Sequence, residues 1–297
     1  PPPNRIGQHG ELFQPHWCFA CFCDLLDEIQ QRGQKRRVRW MNAPDDIAMM
    51  FDKSKAHRRL QQASVPVPQV LPQVASYDEL CDVMERRCEP RVFVKLTSSS
   101  SASGVVALRR GVGRVSATTS VEMVSTAGEL QLYNSLRVRR YTSERDVASL
   151  VDALCRYGVH VERWIPKAGW QGGTFDLRVV AVAGEPRHVV MRSSDGPLTN
   201  LHLGNRRGNV EQLLSQIKPA ALEAAWNSCR RTANLFPNSL YCGIDLMFTP
   251  GLRQHYILEV NAFGDLLPGV FSRGEDTFAA EIRAFLTREN SVQLALR

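Results

Sequence analysis

CGIDLMF at residues 242–248 and HYILEVNAFGD at residues 255–265, joined by TPGLRQ, decide how this chain reads. Two apolar runs flank a turn carrying Pro250 and Gly251, the sequence form of an antiparallel hairpin. Side chains alternate along a strand, so Ile244, Leu246 and Phe248 face one way and Asp245 the other, while Ile257, Glu259 and Asn261 share a face of the second strand. A turn centred near Leu252 sets Asp245 opposite Glu259. Two carboxylates and an amide oxygen then converge. Such a set suits hard cations such as Mg²⁺, which take few protein ligands and complete their shell with substrate phosphates. Read alone, the stretch is equally a hairpin with polar residues turned to water.

Upstream, the strand VFVKL (92–96) carries Lys95 into a serine-rich loop, residues 97–103, closed by Gly104 before another apolar strand at 105–110. Two apolar strands this close make a hairpin, and small residues between them let backbone donors approach phosphate oxygens. Lys53, in FDKSK, offers a second cation. Further on come VERWIP (161–166), FDLRVV (175–180) and MRSSDGPLTNLHLGN (191–205). An apolar strand running into a polar loop can hold a flat base against Trp164 or Ile165 while backbone groups bond its edge. Arg178, Arg192, Asn200 and His202 form a polar set fit to hold a phosphoryl group in transfer. Each feature has a plainer reading: a solvated lysine, a structural tryptophan, a structural histidine.

Around these motifs the pattern alternates helices and strands. Phe22, Leu25, Leu26 and Ile29 recur at helical spacing within 17–32, a helix that Gly33 should end, before a short strand at 38–41 and a helix opened by Pro44. Ser76 with Glu79, and Ser143 with Asp146, open two more helices. Strands follow at 159–165, 175–182 and 186–192, then two helices within 210–236, the late hairpin and a last helix at 276–288. The class is α+β.

The 297 residues are 43% hydrophobic and 23% charged, ordinary for a globular protein. No run of eighteen apolar residues is present, and the expected location is cytoplasmic. Eight cysteines without a secretory segment read as reduced, mostly buried thiols. Cys18, Cys21 and Cys23, with His16 as a fourth ligand, could form a metal set, but no second CxxC or HxxxH pair follows, and they read as packing near a helix start. The net charge of +7 sits in basic runs at 32–39, 58–59, 109–114 and 137–140, solvated faces whose field also draws in anionic substrates and nucleotides.

The order of these motifs resembles the ATP-grasp superfamily: a lysine before a small-residue loop, an adenine hinge, an Asp-Leu-Arg strand, an Asn-Leu-His loop and an Asp…Glu-x-Asn hairpin. Thr199-Asn200-Leu201-His202 looks like the Ser-Asn-Leu-His loop of the ribosomal-protein glutamate ligase and its glutathione-synthetase-like carboxylate–amine relatives. The resemblance covers residues 52–269. It implies an ATP-grasp fold with a short, truncated opening lobe (1–45), a central lid (46–158) and a C-terminal lobe (159–297), with ATP between the last two. It implies that Lys53 and Lys95 hold ATP phosphates under a loop of Ser99, Ser100, Ser101, Ser103 and Gly104, with Glu162, Arg163, Trp164 and Ile165 at the adenine and Asp176 near the ribose. Arg178, Arg192, Asn200 and His202 would serve the transferred phosphoryl group, and Asp245, Glu259 and Asn261 would hold two Mg²⁺ (or Mn²⁺) ions.

The implied reaction activates a carboxylate, small or peptidic, as an acyl phosphate and passes it to an amine. This sequence departs from the pattern in its SSSSASG loop, where similar ligases are glycine-rich, and in the short stretch before Asp52. Two rivals share the motifs: a kinase of the same fold phosphorylating a hydroxyl, and a basic nucleic-acid-binding module keeping a relic nucleotide site. The Asn-Leu-His loop favours the ligase over the first, and the intact set of Lys95, Asp245, Glu259 and Asn261 argues against the second.

Overall fold

A computed structural model describes residues 7–99, 103–126, 128–264 and 267–295, the side chains of Thr126 and of 289–295 excepted. Ser100 and Ser101 therefore lie outside the described residues. Three helices open the chain, α1 (Pro15–Lys35), α2 (Pro44–Phe51) and α3 (Lys53–Gln62), followed by α4 (Tyr77–Arg86). Asp52 starts α3 by accepting a hydrogen bond from the Lys55 amide at 2.9 Å, which places Lys53 in the first turn.

β1 (Arg91–Leu96), β2 (Val106–Gly111), β3 (Arg114–Thr126) and β4 (Glu129–Tyr141) form one antiparallel sheet, completed after α5 (Glu144–Cys155) by β5 (Val159–Arg163). Its order is β4-β3-β2-β1-β5, so the serine-rich segment does link two paired strands. α4 and α5 cover one face. α5 spaces Val147, Leu150, Val151 and Leu154 at i, i+3, i+4 and i+7, all 0% exposed; each such burial is worth roughly 1.5–3 kcal/mol.

A second sheet takes β6 (Gly169–Trp170), β7 (Gly173–Val182), β8 (Glu185–Ser194) and β9 (Arg206–Gly208), then, after α6 (Val210–Leu214) and α7 (Pro219–Asn234), β10 (Tyr241–Phe248) and β11 (His255–Asn261). The order is β11-β10-β7-β8-β9, with β6 on β7. One face packs Phe175, Leu177, Val179, Ile244, Leu246 and Phe248 against the helices α2, α3, α6 and α7. The other face carries polar side chains at one end, while α8 (Thr277–Ala295) approaches the other through Ala284.

Several expectations change. Gly33 does not end the first helix but lies inside it, buried against Trp40 where a Cβ would collide with the indole. Of the four apolar residues on that helix only Leu26 is buried; Phe22 meets Phe51, and Leu25 and Ile29 are exposed, because α1 touches the body along a narrow line. Cys18 and Cys21 are exposed, so they do not pack a core. No strand forms at 38–41; the backbone makes a single bridge, Asn42 to Ser239, in which the Leu240 amide donates to the Met41 carbonyl and the Ala43 amide to the Asn238 carbonyl. Sheet membership also divides the chain differently from 158/159: β5 pairs with β1, and α2 and α3 pack on the second sheet.

Candidate active site

The site grows out of the polar face of the second sheet. Along β7, Phe175, Leu177 and Val179 point into the core, which sends Asp176 and Arg178 into the space between the sheets. Register then lines up partners across four strands: Asp176 opposite Arg192, Arg178 opposite Asp245, and Asp245 opposite Glu259. Arg192 donates through Nε to Asp176 at 2.7 Å and lies 3.0 Å from Asp245 through Nη2. Arg178 Nε sits 2.7 Å from Asp245 Oδ1, an ion pair without hydrogen-bond alignment that leaves Oδ1 with no hydrogen-bond partner.

One irregularity sets the geometry of the metal candidates. Asp245 pairs with Glu259 and the next residue, Leu246, with Ile257, so Leu258 is an extra residue on β11. This β-bulge reverses the alternation. Ile257 is fully buried in the core with Val260, not on the face of Glu259 and Asn261 as strict alternation requires. Leu258 and Glu259 both line the cleft. Gly243 is needed beside them: a Cβ there would lie 2.8 Å from Arg178 Nη1 and 2.9 Å from the Gly264 carbonyl oxygen.

Cations from elsewhere meet this row. The Lys53 ammonium pairs with Glu259 and donates to the Ser99 carbonyl at 2.7 Å, while its backbone amide bonds Thr97, tying α3 to the loop after β1. Lys95 pairs with Glu162 on the neighbouring strand β5. Burial alone would raise the Glu162 pKa, but Lys95, and His160 after it, outweigh it and hold the carboxyl down to about 2. Asp176 is likewise held well below the carboxylate range against its burial, by Arg192 and then Lys167. Glu259 is lowered against its burial by Lys53 and then Lys95. Every one of these carboxylates is charged at neutral pH.

Two joined cavities open along the row and share Lys53, Arg192, Asn200, Asp245 and Glu259. The first spans about 770 Å³ including its open mouth and is walled by Phe93 and Val105 from one lobe, Met247 and Leu258 from the other, with Ile165 and Leu198. These apolar walls on facing sides suit a flat ring. The second encloses about 1560 Å³ including its open mouth.

Of the expected residues, Lys53, Lys95, Glu162, Arg163, Ile165, Asp176, Arg192 and Asn200 line the first cavity. Ser99, Arg178, His202 and Asn261 line the second. Ser103 is half-buried, and Gly104 turns with φ +67° where a Cβ would strike Leu96. Asn200 Oδ1 accepts from the His202 amide at 3.0 Å, which leaves its amide N–H groups as the free donors. Trp164 is placed elsewhere: just past the end of β5 it lines a separate groove, with the guanidiniums of Arg91 and Arg109 at 6.0 and 5.9 Å from its ring. Sequence reading missed Lys167, whose buried ammonium donates to Asp176 at 2.9 Å and Thr199 at 2.6 Å. Its signal was its place, a lysine directly after VERWIP.

No protein-family model matches the chain, and neither does any curated protein sequence. By three-dimensional comparison it is similar to the ATP-grasp ligase PsnB complexed with minimal precursor, at 14% identity over 87% of this chain and 67% of that one, TM-score 0.51. It is also similar to the D-alanine–D-alanine ligase from Bacillus anthracis, at 11% identity over 91% of this chain and 77% of that one, TM-score 0.55. Against the macrocyclase MdnC bound with precursor peptide MdnA from Microcystis aeruginosa MRC the figures are 12% identity, 82% and 62% coverage, and TM-score 0.48, so the chain spans less than two thirds of that protein. The first two likenesses fix the fold as ATP-grasp.

Proposed function

We propose, from the ATP-grasp fold this chain adopts, that it is an ATP-dependent ligase activating a carboxylate as an acyl phosphate and joining it to an amine. The observation that carries the reading is the charged row itself. Lys53, Lys95, Lys167, Arg178 and Arg192 interlock with Glu162, Asp176, Asp245 and Glu259 between an apolar-walled cavity and an open one. Such a row is pre-set to exchange partners: a triphosphate takes the cations, and the carboxylates it frees remain nearby.

Placement supports a division of labour. Ile165, Met247 and Leu258 hold the base, and Glu162 holds Lys95 toward the phosphates. Lys53 takes phosphate oxygens from the other side. Arg178 and the free amide donors of Asn200 face the open cavity, where they would hold the substrate carboxylate against the terminal phosphate. Arg192, bridging two carboxylates, positions Asp176 and Asp245.

Asp245, Glu259 and Asn261 fit a divalent cation, because their oxygens are hard donors on adjacent strands and Asp245 Oδ1 is buried without a hydrogen-bond partner. Mg²⁺ or Mn²⁺ bound there would neutralise charge on the triphosphate and the leaving phosphate. The chain's own residues then orient the two reactants, and no protein nucleophile is required.

The test is release of ADP and phosphate by the purified protein with ATP, Mg²⁺, pooled amino acids and peptides, and hydroxylamine, which captures acyl phosphates as hydroxamates. Hydroxamate that disappears in Glu259→Ala supports carboxylate activation. ADP release with a phosphorylated product and no hydroxamate would replace the ligase with a kinase, and failure to bind ATP would end both.

A further inference from the structure

The open cavity is lined by chemically different groups. Arg178, Arg192 and Asn200 offer a place for anions. Glu281 also lines it, carried by α8 one residue after the fully buried Ala280, which fixes the helix against the sheet. Glu281 lines the cavity and is 8% exposed. Among the described residues it has neither a hydrogen-bond partner nor an ion-pair partner. Every other carboxylate lining the two cavities is paired with a lysine or arginine.

An unpaired carboxylate this buried costs free energy that a core residue would avoid. The groups facing it do not relieve that cost: Asp276, at the start of its own helix, repels it, and Tyr241 on β10 is neutral. Arg178 of β7 and Arg207 of β9 line the same cavity, the first engaged by Asp245 and the second by the Pro268 carbonyl at 2.8 Å. Burial first, and Asp276 second, push the Glu281 carboxyl up to about 7, where it both attracts a cation and accepts a proton at neutral pH. The same cavity also has an aromatic lining: the rings of Phe51 and Phe263 meet at 5.9 Å, and Phe278 is half exposed.

We infer that Glu281 is the seat of the acceptor's amino group, and that the acceptor is a primary amine carried on an apolar or aromatic body. The inference rests on the ligase reading of the cleft. An ammonium docked on Glu281 gives one proton to the carboxylate, and the freed nitrogen lone pair attacks the acyl carbon. The C–N bond forms as the C–O bond to phosphate breaks, a second N–H proton leaves with the departing phosphate, and the third stays on the amide.

The experiment is a ligand-observed NMR titration of the full chain at pH 8 with 2-phenylethylamine and its uncharged counterpart 2-phenylethanol, on wild type, Glu281→Gln and Glu281→Asp. The amine should bind wild type roughly tenfold more tightly than Glu281→Gln, the size of one lost charge-assisted contact, with Glu281→Asp between them and the alcohol indifferent to all three. Equal amine affinity in wild type and folded Glu281→Gln overturns the proposal. Should that variant not fold, Glu281→Asp answers the same question: an amine affinity equal to wild type overturns it. This outcome is separate from failure of the ligase reading, which shows as wild type forming no hydroxamate whether or not it binds the amine.

Discussion

The ammonium of Lys53 and the carboxylate of Glu259 are ion-paired across 206 residues of sequence, joining the first turn of α3 to the bulged strand β11. The pair sits where the two cavities meet, and Lys53 also holds the Ser99 carbonyl. Glu259→Ala is expected to lower hydroxamate formation by at least about a hundredfold, in the range seen when a preorganised charge is removed from a transition state. It should also cost stability, since Lys53 is left only 10% exposed without its partner. Glu259 is itself 30% exposed, so water screens the pair and the loss in urea unfolding should be about 1–3 kcal/mol.

Gly243 is the position where the cleft tolerates no side chain. Gly243→Ala would drive a methyl into the Gly264 backbone and displace the Arg178 guanidinium. A loss of roughly 1–3 kcal/mol from overpacking and a fall in activity are expected. Gly111→Ala, with nothing within 4 Å of the added carbon, is the control and should leave thermal unfolding and activity near wild type.

Leu258 faces the first cavity only because of the bulge. Leu258→Asp should therefore weaken ATP binding in calorimetry by more than about tenfold, through loss of apolar contact and repulsion of phosphate. Ile257→Asp, one residue away in the core, should instead unfold the chain.

His57 is buried, and desolvation, with His160 adding to it, holds its pKa down to about 4 from the ordinary 6.5. Between those values the unfolded chain binds a proton that the folded chain refuses, so stability is lost as pH falls from about 6.5 to about 4, on the order of 3 kcal/mol in all. His57→Gln should flatten the melting temperature across that window.

Glu281 has the opposite sign. Its carboxyl is held up to about 7 from the ordinary 4.5, so the folded chain keeps a proton that the unfolded chain gives up. Stability is then lost as pH rises from about 4.5 to about 7, again on the order of 3 kcal/mol. Glu281→Gln should be more stable than wild type at pH 8 and equal to it at pH 4, a difference that paired melts at the two pH values would show.

Much of this molecule follows from local rules that a chain carries along its own length. Alternation places Asp176 and Arg178 on one face of β7, the 249–254 turn pairs β10 with β11, and Ser76 and Ser143 start helices by accepting amide hydrogen bonds. What needed three dimensions is of another kind. The cations that neutralise Asp245 arrive from β7 and β8, the partner of Glu259 comes from α3, and the unpaired state of Glu281 depends on which elements pack around α8. The bulge at Leu258 likewise breaks the period on which alternation relies and shifts the partner of Asp245 from Leu258 to Glu259, and Trp164 turns to the outer groove beside two arginines. Periodicity and capping are properties of a few consecutive bonds, whereas pairing of buried charge and the choice of face at an irregular strand depend on distant segments meeting in space, and those meetings leave no mark on neighbouring residues.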